Sequence, residues 1–110
     1  MDKDRMNLLQ GTLDVLILQA LSDEPLHGYA VSRFVRDRTG GTLQIEDAPL
    51  YKALHRLEQD GCISAEWGLS ENNRKARYYR LTTRGRTRLK SEESAWRQYA
   101  EAVFRVLEPA

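Results

Sequence analysis

The run Leu50-Tyr51-Lys52-Ala53-Leu54-His55-Arg56-Leu57-Glu58-Gln59-Asp60-Gly61, together with the basic segment that follows it to Lys90, decides the fold. At about 100° per residue, Leu50, Leu54 and Leu57 fall on one side of a helix with Ala53 at its edge. Lys52, His55, Arg56 and Gln59 fall on the opposite side, and Gly61 closes the helix. Ile63, Ala65 and Trp67 then alternate as a strand with one buried face. Gly68 to Lys75 reads as a hairpin tip, and Arg77-Tyr78-Tyr79-Arg80-Leu81 as the returning strand. Between Asn72 and Ser91 stand eight bases (Arg74, Lys75, Arg77, Arg80, Arg84, Arg86, Arg88, Lys90) and no Asp or Glu. A polar helix face beside a cationic hairpin is the pattern that a polyanionic duplex requires.

Upstream, the spacing predicts a first helix from about Leu9 to Ser22, with Leu9, Leu13, Leu16, Ile17, Ala20 and Leu21 on one stripe. Leu8, Val15 and Leu18 lie off that stripe, so a second apolar side is expected, covered by another subunit. Pro25 breaks the chain, and a second helix starts near His27 with Ala30, Val31, Phe34 and Val35 inward. Gly40-Gly41 ends it through positive φ. Thr42 to Ile45 reads as a short extended piece. Asp47 is the expected cap of the third helix, with Pro49 in its first turn.

Downstream, Thr82 or Thr83 caps a last helix that reaches about Glu108 and stops at Pro109. Trp96, Tyr99, Ala100, Val103, Val106 and Leu107 form an apolar stripe on it at 3–4 spacing. About 25 residues make a helix of roughly 37 Å, more than a body of this size needs for its own cover. The stripe is therefore expected to meet its copy in a second chain. The order of helix, helix, helix, strand, strand, helix is that of a winged helix-turn-helix, mainly α with a small β-hairpin. It divides into a DNA-binding domain at 8–82 and a C-terminal dimerisation helix at 83–108.

At 110 residues a single domain is expected, and 41% apolar with 30% charged residues suits a globular chain. No apolar run approaches the roughly 20 residues that span a bilayer, and Met1 to Arg5 lacks signal-peptide features. The cytoplasm is the expected compartment. The net charge of +1 is unevenly spread: residues 48–90 hold ten bases and four acids, the remainder seven bases and twelve acids. Such asymmetry orients a chain on an anionic surface. One cysteine, Cys62, excludes a disulfide framework and a multi-cysteine metal site. Cys62 reads as a small half-buried apolar residue, with a redox switch as the alternative. His27 and His55 show no zinc spacing. No nucleophile–base pair or phosphate loop appears, so neither enzyme activity nor a cofactor or metal is expected.

Four ordered motifs carry a resemblance. They are Gly11-Thr12-Leu13-Asp14-Val15-Leu16-Ile17-Leu18; Pro25-Leu26-His27-Gly28-Tyr29; Leu50-Tyr51 with Ala53-Leu54-His55-Arg56-Leu57-Glu58; and Glu71-Asn72-Asn73-Arg74-Lys75-Ala76-Arg77-Tyr78-Tyr79-Arg80-Leu81-Thr82. Over roughly residues 8–108 the chain closely resembles the PadR family of bacterial transcriptional regulators, in its short form with a single terminal helix. The resemblance implies a homodimeric DNA-binding repressor with the third helix in the major groove and the wing at the adjacent minor groove or backbone. Where the family usually has Gly-Ser or Gly-Thr before Leu-Tyr and Pro after it, this chain has Ala48-Pro49 before and Lys52 after. Its operator preference is therefore expected to differ.

On this reading Lys52, His55, Arg56 and Gln59 read base edges, where Arg or Lys suits guanine and Gln suits adenine. Tyr51, Arg74, Lys75 and Arg77 hold the backbone. For Lys52, His55, Arg56 and Gln59 the alternative is a merely solvated helix face, and for the hairpin an ordinary polar turn. Arg84, Arg86 and Arg88 oppose the dipole at the start of the last helix. A compensating anion is expected for them, the DNA backbone being the obvious one, although three alternating positions cannot all face it and at least one is expected to be an ordinary surface charge. Trp67, Tyr78 and Tyr79 are assigned to core and strand pairing. Trp96 either packs at the dimer interface or, with Tyr99, Val103, Val15 and Leu18, lines a pocket for a flat aromatic effector. The expected partners are thus a pseudopalindromic DNA duplex, a second copy and a small aromatic molecule, with no membrane. The alternative is a winged-helix protein–protein adaptor that does not bind DNA.

Overall fold

Two helices of this chain begin at a residue whose side chain accepts a hydrogen bond from a first-turn backbone N–H. The computed structural model describes residues 11–109, so the expected helix start at Leu9, the apolar Leu8 and the start of the first expected domain lie outside the described residues. The elements are α1 (Thr12–Ala20), β1 (Leu26–His27), α2 (Gly28–Arg38), α3 (Asp47–Gln59), β2 (Ile63–Leu69), β3 (Lys75–Leu81) and α4 (Thr83–Leu107). His27 caps α2, its Nδ1 accepting the Ala30 N–H at 3.1 Å. Thr82 caps α4, its Oγ1 accepting the Gly85 N–H at 3.0 Å while donating to the Gly61 carbonyl at 2.6 Å. Gly40 and Gly41 end α2 at φ of 61° and 85°, as expected.

Two local expectations shift. Asp47 does not cap α3; Glu46 holds the N-cap position in extended backbone without a side-chain capping bond, and Asp47 is the first helical residue. There its carboxylate still favours the positive end of the helix dipole. The hairpin tip is tighter than expected, because β2 runs to Leu69 and β3 begins at Lys75. The turn closes through Ser70 N–H to the Arg74 carbonyl at 2.8 Å, with Asn73 at φ 59°. Asparagine is among the few non-glycine residues that enter that region readily.

The sheet has three strands rather than two, ordered β1-β3-β2 and antiparallel. Leu26 pairs with Tyr79 and His27 with Tyr78, which ties the start of α2 to the wing. One core runs beneath it, built from Ile17, Leu18 and Leu21 of the first helical segment, Val31 and Val35 of α2, and Leu50, Leu54 and Leu57 of α3, closed by Ile63, Tyr79 and Leu81. Leu18 is fully buried here, so it does not belong to a second apolar side or to an intersubunit pocket. The chain's own body covers the surface that a partner was expected to cover at that position. Val15 stays half-buried.

Trp67 also departs from expectation. Burial falls away along β2 from Ile63 towards the tip, and Trp67 stands 63% exposed on the overhanging part of the sheet. Tyr78 and Tyr79 hold the paired positions expected of them, Tyr79 buried and Tyr78 half-buried. In α4, Trp96 Nε1 donates to Thr12 Oγ1 at 3.2 Å, so this residue packs on α1 of its own chain. Beyond it Tyr99, Val103, Phe104, Val106 and Leu107 are exposed. Among the described residues no helix is long and apolar enough to cross a membrane.

Candidate nucleic-acid interface

Four apolar side chains of α3 (Leu50, Ala53, Leu54, Leu57) are buried, which leaves Tyr51, Lys52, His55, Arg56 and Gln59 exposed on the far side. That division follows from helical spacing alone. Their surroundings differ, however. Lys52, His55 and Gln59 reach outward, whereas Arg56 turns sideways and its Nη2 donates to the Asp14 carboxylate of α1. Tyr51 leans back over α2: a Cβ built on Gly28 would lie 2.8 Å from its hydroxyl oxygen and 2.9 Å from its ring. Gly28 is therefore the residue that lets α3 and α2 approach at this point, because any side chain there would push Tyr51 away.

The wing places Arg74 at its turn and Lys75 and Arg77 on the face towards α3. Lys75 Nζ sits 5.1 Å over the Trp67 ring. Arg77 lies 6.0 Å from the Tyr79 ring centroid and its Nη2 donates to Glu58 Oε2 at 2.9 Å. Arg33 of α2 lies 5.6 Å over Tyr29 and reaches Glu71 at the wing tip at 3.6 Å. Between the wing and the α2–α3 pair these residues bound a cleft of about 450 Å³, with His27, Tyr29, Tyr51, Trp67 and Lys75 among its walls. Three of its cations rest on aromatic faces. Lys75, with no carboxylate partner among the described residues, keeps its ammonium donors available for an anion, whereas Arg33 and Arg77 are also paired with Glu71 and Glu58. Burial pushes the Tyr79 hydroxyl above its usual pKa, against a lowering by Arg77, so it stays a neutral wall residue.

Cleft formation brings together Tyr51, Lys75 and Arg77, which sequence reasoning assigned to the backbone. It adds Tyr29, Arg33 and Trp67, which that reasoning left out. The basic character of the wing was legible, but the closeness of the wing tip to α2 was not. It rests on the two-residue strand β1, too short to show any alternation. Arg74 stays at the tip, outside the cleft walls.

At the start of α4 the expected compensation is intramolecular. Arg88 donates to Glu92 at 3.0 Å, Asp60 at 3.1 Å and Asp14 at 3.3 Å, and lies 3.6 Å from the Cys62 sulfur. Its pKa is raised above the ordinary guanidinium value, first by the bond to Glu92. Arg86 donates to the Ser22 carbonyl at 3.3 Å. DNA is thus not the anion that offsets Arg88; three carboxylates of its own chain do so.

A three-helix core with a β-hairpin wing, an exposed polar face on α3 and a cationic cleft beside it define a winged-helix transcription regulator. The family model described as the transcriptional regulator PadR-like family matches residues 17–91, and the chain belongs to that family. The family is one of transcription regulators and not of enzymes. An uncharacterised Lysinibacillus sphaericus protein is 31% identical over 99 residues, spanning 90% of this chain and 91% of that protein. A transcriptional regulator from Clostridium thermocellum superposes with a TM-score of 0.81 at 28% identity, covering 90% of this chain and 96% of its own. A PadR family transcriptional regulator from Eggerthella lenta does so at 0.76 and 32% identity, covering 92% and 86%.

Proposed function

We propose that the chain is a homodimeric repressor that binds a pseudopalindromic operator and leaves it when a flat aromatic effector enters between the terminal helices. The observation that carries the DNA reading is the wing cleft, where Lys75, Arg33 and Arg77 stand on the rings of Trp67, Tyr29 and Tyr79. Lys52, His55 and Gln59 are the base readers, exposed on the α3 face opposite the core. Arg56 shares that face, but its guanidinium is committed to Asp14. Tyr51, Arg74, Lys75 and Arg77 hold the backbone. In the dimer the two α3 helices lie about one DNA turn, ~34 Å, apart.

A mobility-shift series with the protein's own upstream region tests this. Log K is expected to fall steeply with log salt, by about 0.9 per phosphate contact. Lys75→Ala is expected to weaken all duplexes alike and to remove about one contact per subunit from that slope. Gln59→Ala is expected to lose about 1–3 kcal/mol of discrimination at one base pair. A shallow slope, or no shift with any upstream fragment, would favour a protein-binding adaptor.

The effector reading rests on Trp96, Tyr99 and Val103, which keep exposed surface on α4, and on Val15, half-buried on α1. Leu18, buried in the core, has no place in it. With Trp67→Phe, Trp96 is the remaining tryptophan. Titrating aromatic compounds is then expected to quench its fluorescence in step with loss of operator binding. If no aromatic compound alters operator affinity, effector release is wrong.

A further inference from the structure

The recognition helix is held by a closed circuit of charge that reaches two other helices, α1 and α4. Arg56 and Asp60 sit four residues apart on α3, about 6 Å along one face. Arg56 is bonded to Asp14 of α1, and Asp60 accepts from Arg88 of α4 at 3.1 Å. Asp14 and Arg88 are themselves joined, Arg88 Nη2 donating to Asp14 Oδ2 at 3.3 Å. Each carboxylate oxygen of Asp14 thus serves a different guanidinium from a different helix. The Asp14 side chain is 15% exposed and that of Arg56 is 51% exposed. An attraction to a largely covered carboxylate is less screened than one between solvated groups.

We propose that Asp14 is a positioning residue that withholds Arg56 from DNA and, with Arg88, fixes how the last turn of α3 is presented to the duplex. The inference rests on the DNA-binding reading above. Arg56 lies on the outer face of α3, where its type suits guanine, yet its guanidinium is turned towards the body. A free arginine there would add a strong phosphate contact at any sequence, raising affinity without raising discrimination. Pairing it internally leaves Lys52, His55 and Gln59 to set the preference. It also gives α3 two anchors of opposite sign, which resist sliding along the helix axis and rotation about it. Removing the Asp14 charge takes away the carboxylate that holds Arg56, while Arg88 keeps Glu92 and Asp60, so the more exposed Arg56 is free to turn outward.

The test follows the affinity for operator and for an unrelated duplex across a salt series, with the wild-type protein, Arg56→Ala, Asp14→Asn and the double variant. Arg56→Ala alone is expected to leave the salt slope unchanged, because the guanidinium it removes is bonded to Asp14 and not to a phosphate. Asp14→Asn, almost the same size, is expected to steepen the slope by about 0.9 per subunit and to narrow the ratio between operator and unrelated duplex. Adding Arg56→Ala to it is expected to return the slope to the wild-type value, which a merely structural role for Asp14 would not do. The inference is overturned if Arg56→Ala flattens the slope or erases a preference at one base pair. It is equally overturned if folded Asp14→Asn keeps the wild-type slope. Should Asp14→Asn fail to fold, Arg56→Ala decides by itself. Wild-type protein that binds no duplex at low salt overturns the DNA reading instead, so the two failures are told apart.

Discussion

Gly85→Ala is expected to cost at least about 3 kcal/mol of folding stability, a large part of the 5–15 kcal/mol typical of small domains. Helix propensity alone points the other way, since alanine is favoured over glycine by about 1 kcal/mol inside a helix. Packing reverses the sign. A Cβ on Gly85 would lie 2.0 Å from the Cys62 carbonyl oxygen and 3.2 Å from Leu81 Cδ2. The Cys62 oxygen has nowhere to go, because it accepts the Thr82 N–H at 3.1 Å, and Thr82 in turn caps α4. Relief requires α4 to move away from the α3–β2 junction, which breaks the cap and pulls Arg88 from Asp60 and Asp14. Urea denaturation read by circular dichroism measures the loss. Ser91→Ala, exposed on the same helix, is the control and is expected to stay within about 0.5 kcal/mol of the wild type. A Gly85→Ala protein as stable as the wild type would show that the contact relaxes at no cost.

The second large effect concerns association. Placing Asp at both Val103 and Phe104 is expected to yield a folded monomer whose affinity for a full operator falls by roughly 10²–10⁴-fold, the gain that linking two binding units commonly provides. The reason is the exposed side of α4. Tyr99 is 63%, Phe104 61% and Val106 83% exposed, and with Val103 and Leu107 they form one arc beyond the part of the helix that packs on α1. Monomeric proteins rarely leave so continuous an apolar patch in water. Two charges in its centre would each need desolvation without a partner if the patch were covered. Sedimentation equilibrium reads the mass, and binding to a half-operator, expected to be unchanged, shows that the DNA face is intact. A double variant that remains dimeric would move the interface away from this arc.

Much of the fold is legible before any coordinates are. Leu50, Leu54 and Leu57 recur at helical spacing because a helix buries one side, and this spacing already separates Lys52, His55 and Gln59 from the core. Thr82 and the Gly40-Gly41 pair mark helix ends through chemistry that acts within a turn of the residue. The wing is visible as alternation plus a run of bases. For the candidate interface the residue types and the face of α3 were readable, while the walls of the cleft were not. Tyr29 and Arg33 face Trp67 and Lys75 only because β1 pairs with β3.

The departures from expectation share one cause. Periodicity marks an apolar side at Leu18 but not what covers it. Alternation puts Trp67 on a buried face but says nothing of where the supporting helix stops. Arg56 meets a carboxylate 42 residues away in the chain at Asp14, and Arg88, besides Glu92 one turn on, meets Asp60 and Asp14 at 28 and 74 residues away. Element type, element order and the inward face of each helix are short-range properties, set by steric and hydrogen-bonding rules that act within a few residues. Which cations stay available, which apolar faces remain uncovered and how the wing meets α2 depend on charges and surfaces within a few ångströms in space. That proximity arises when the elements pack, and no local pattern in the chain encodes it.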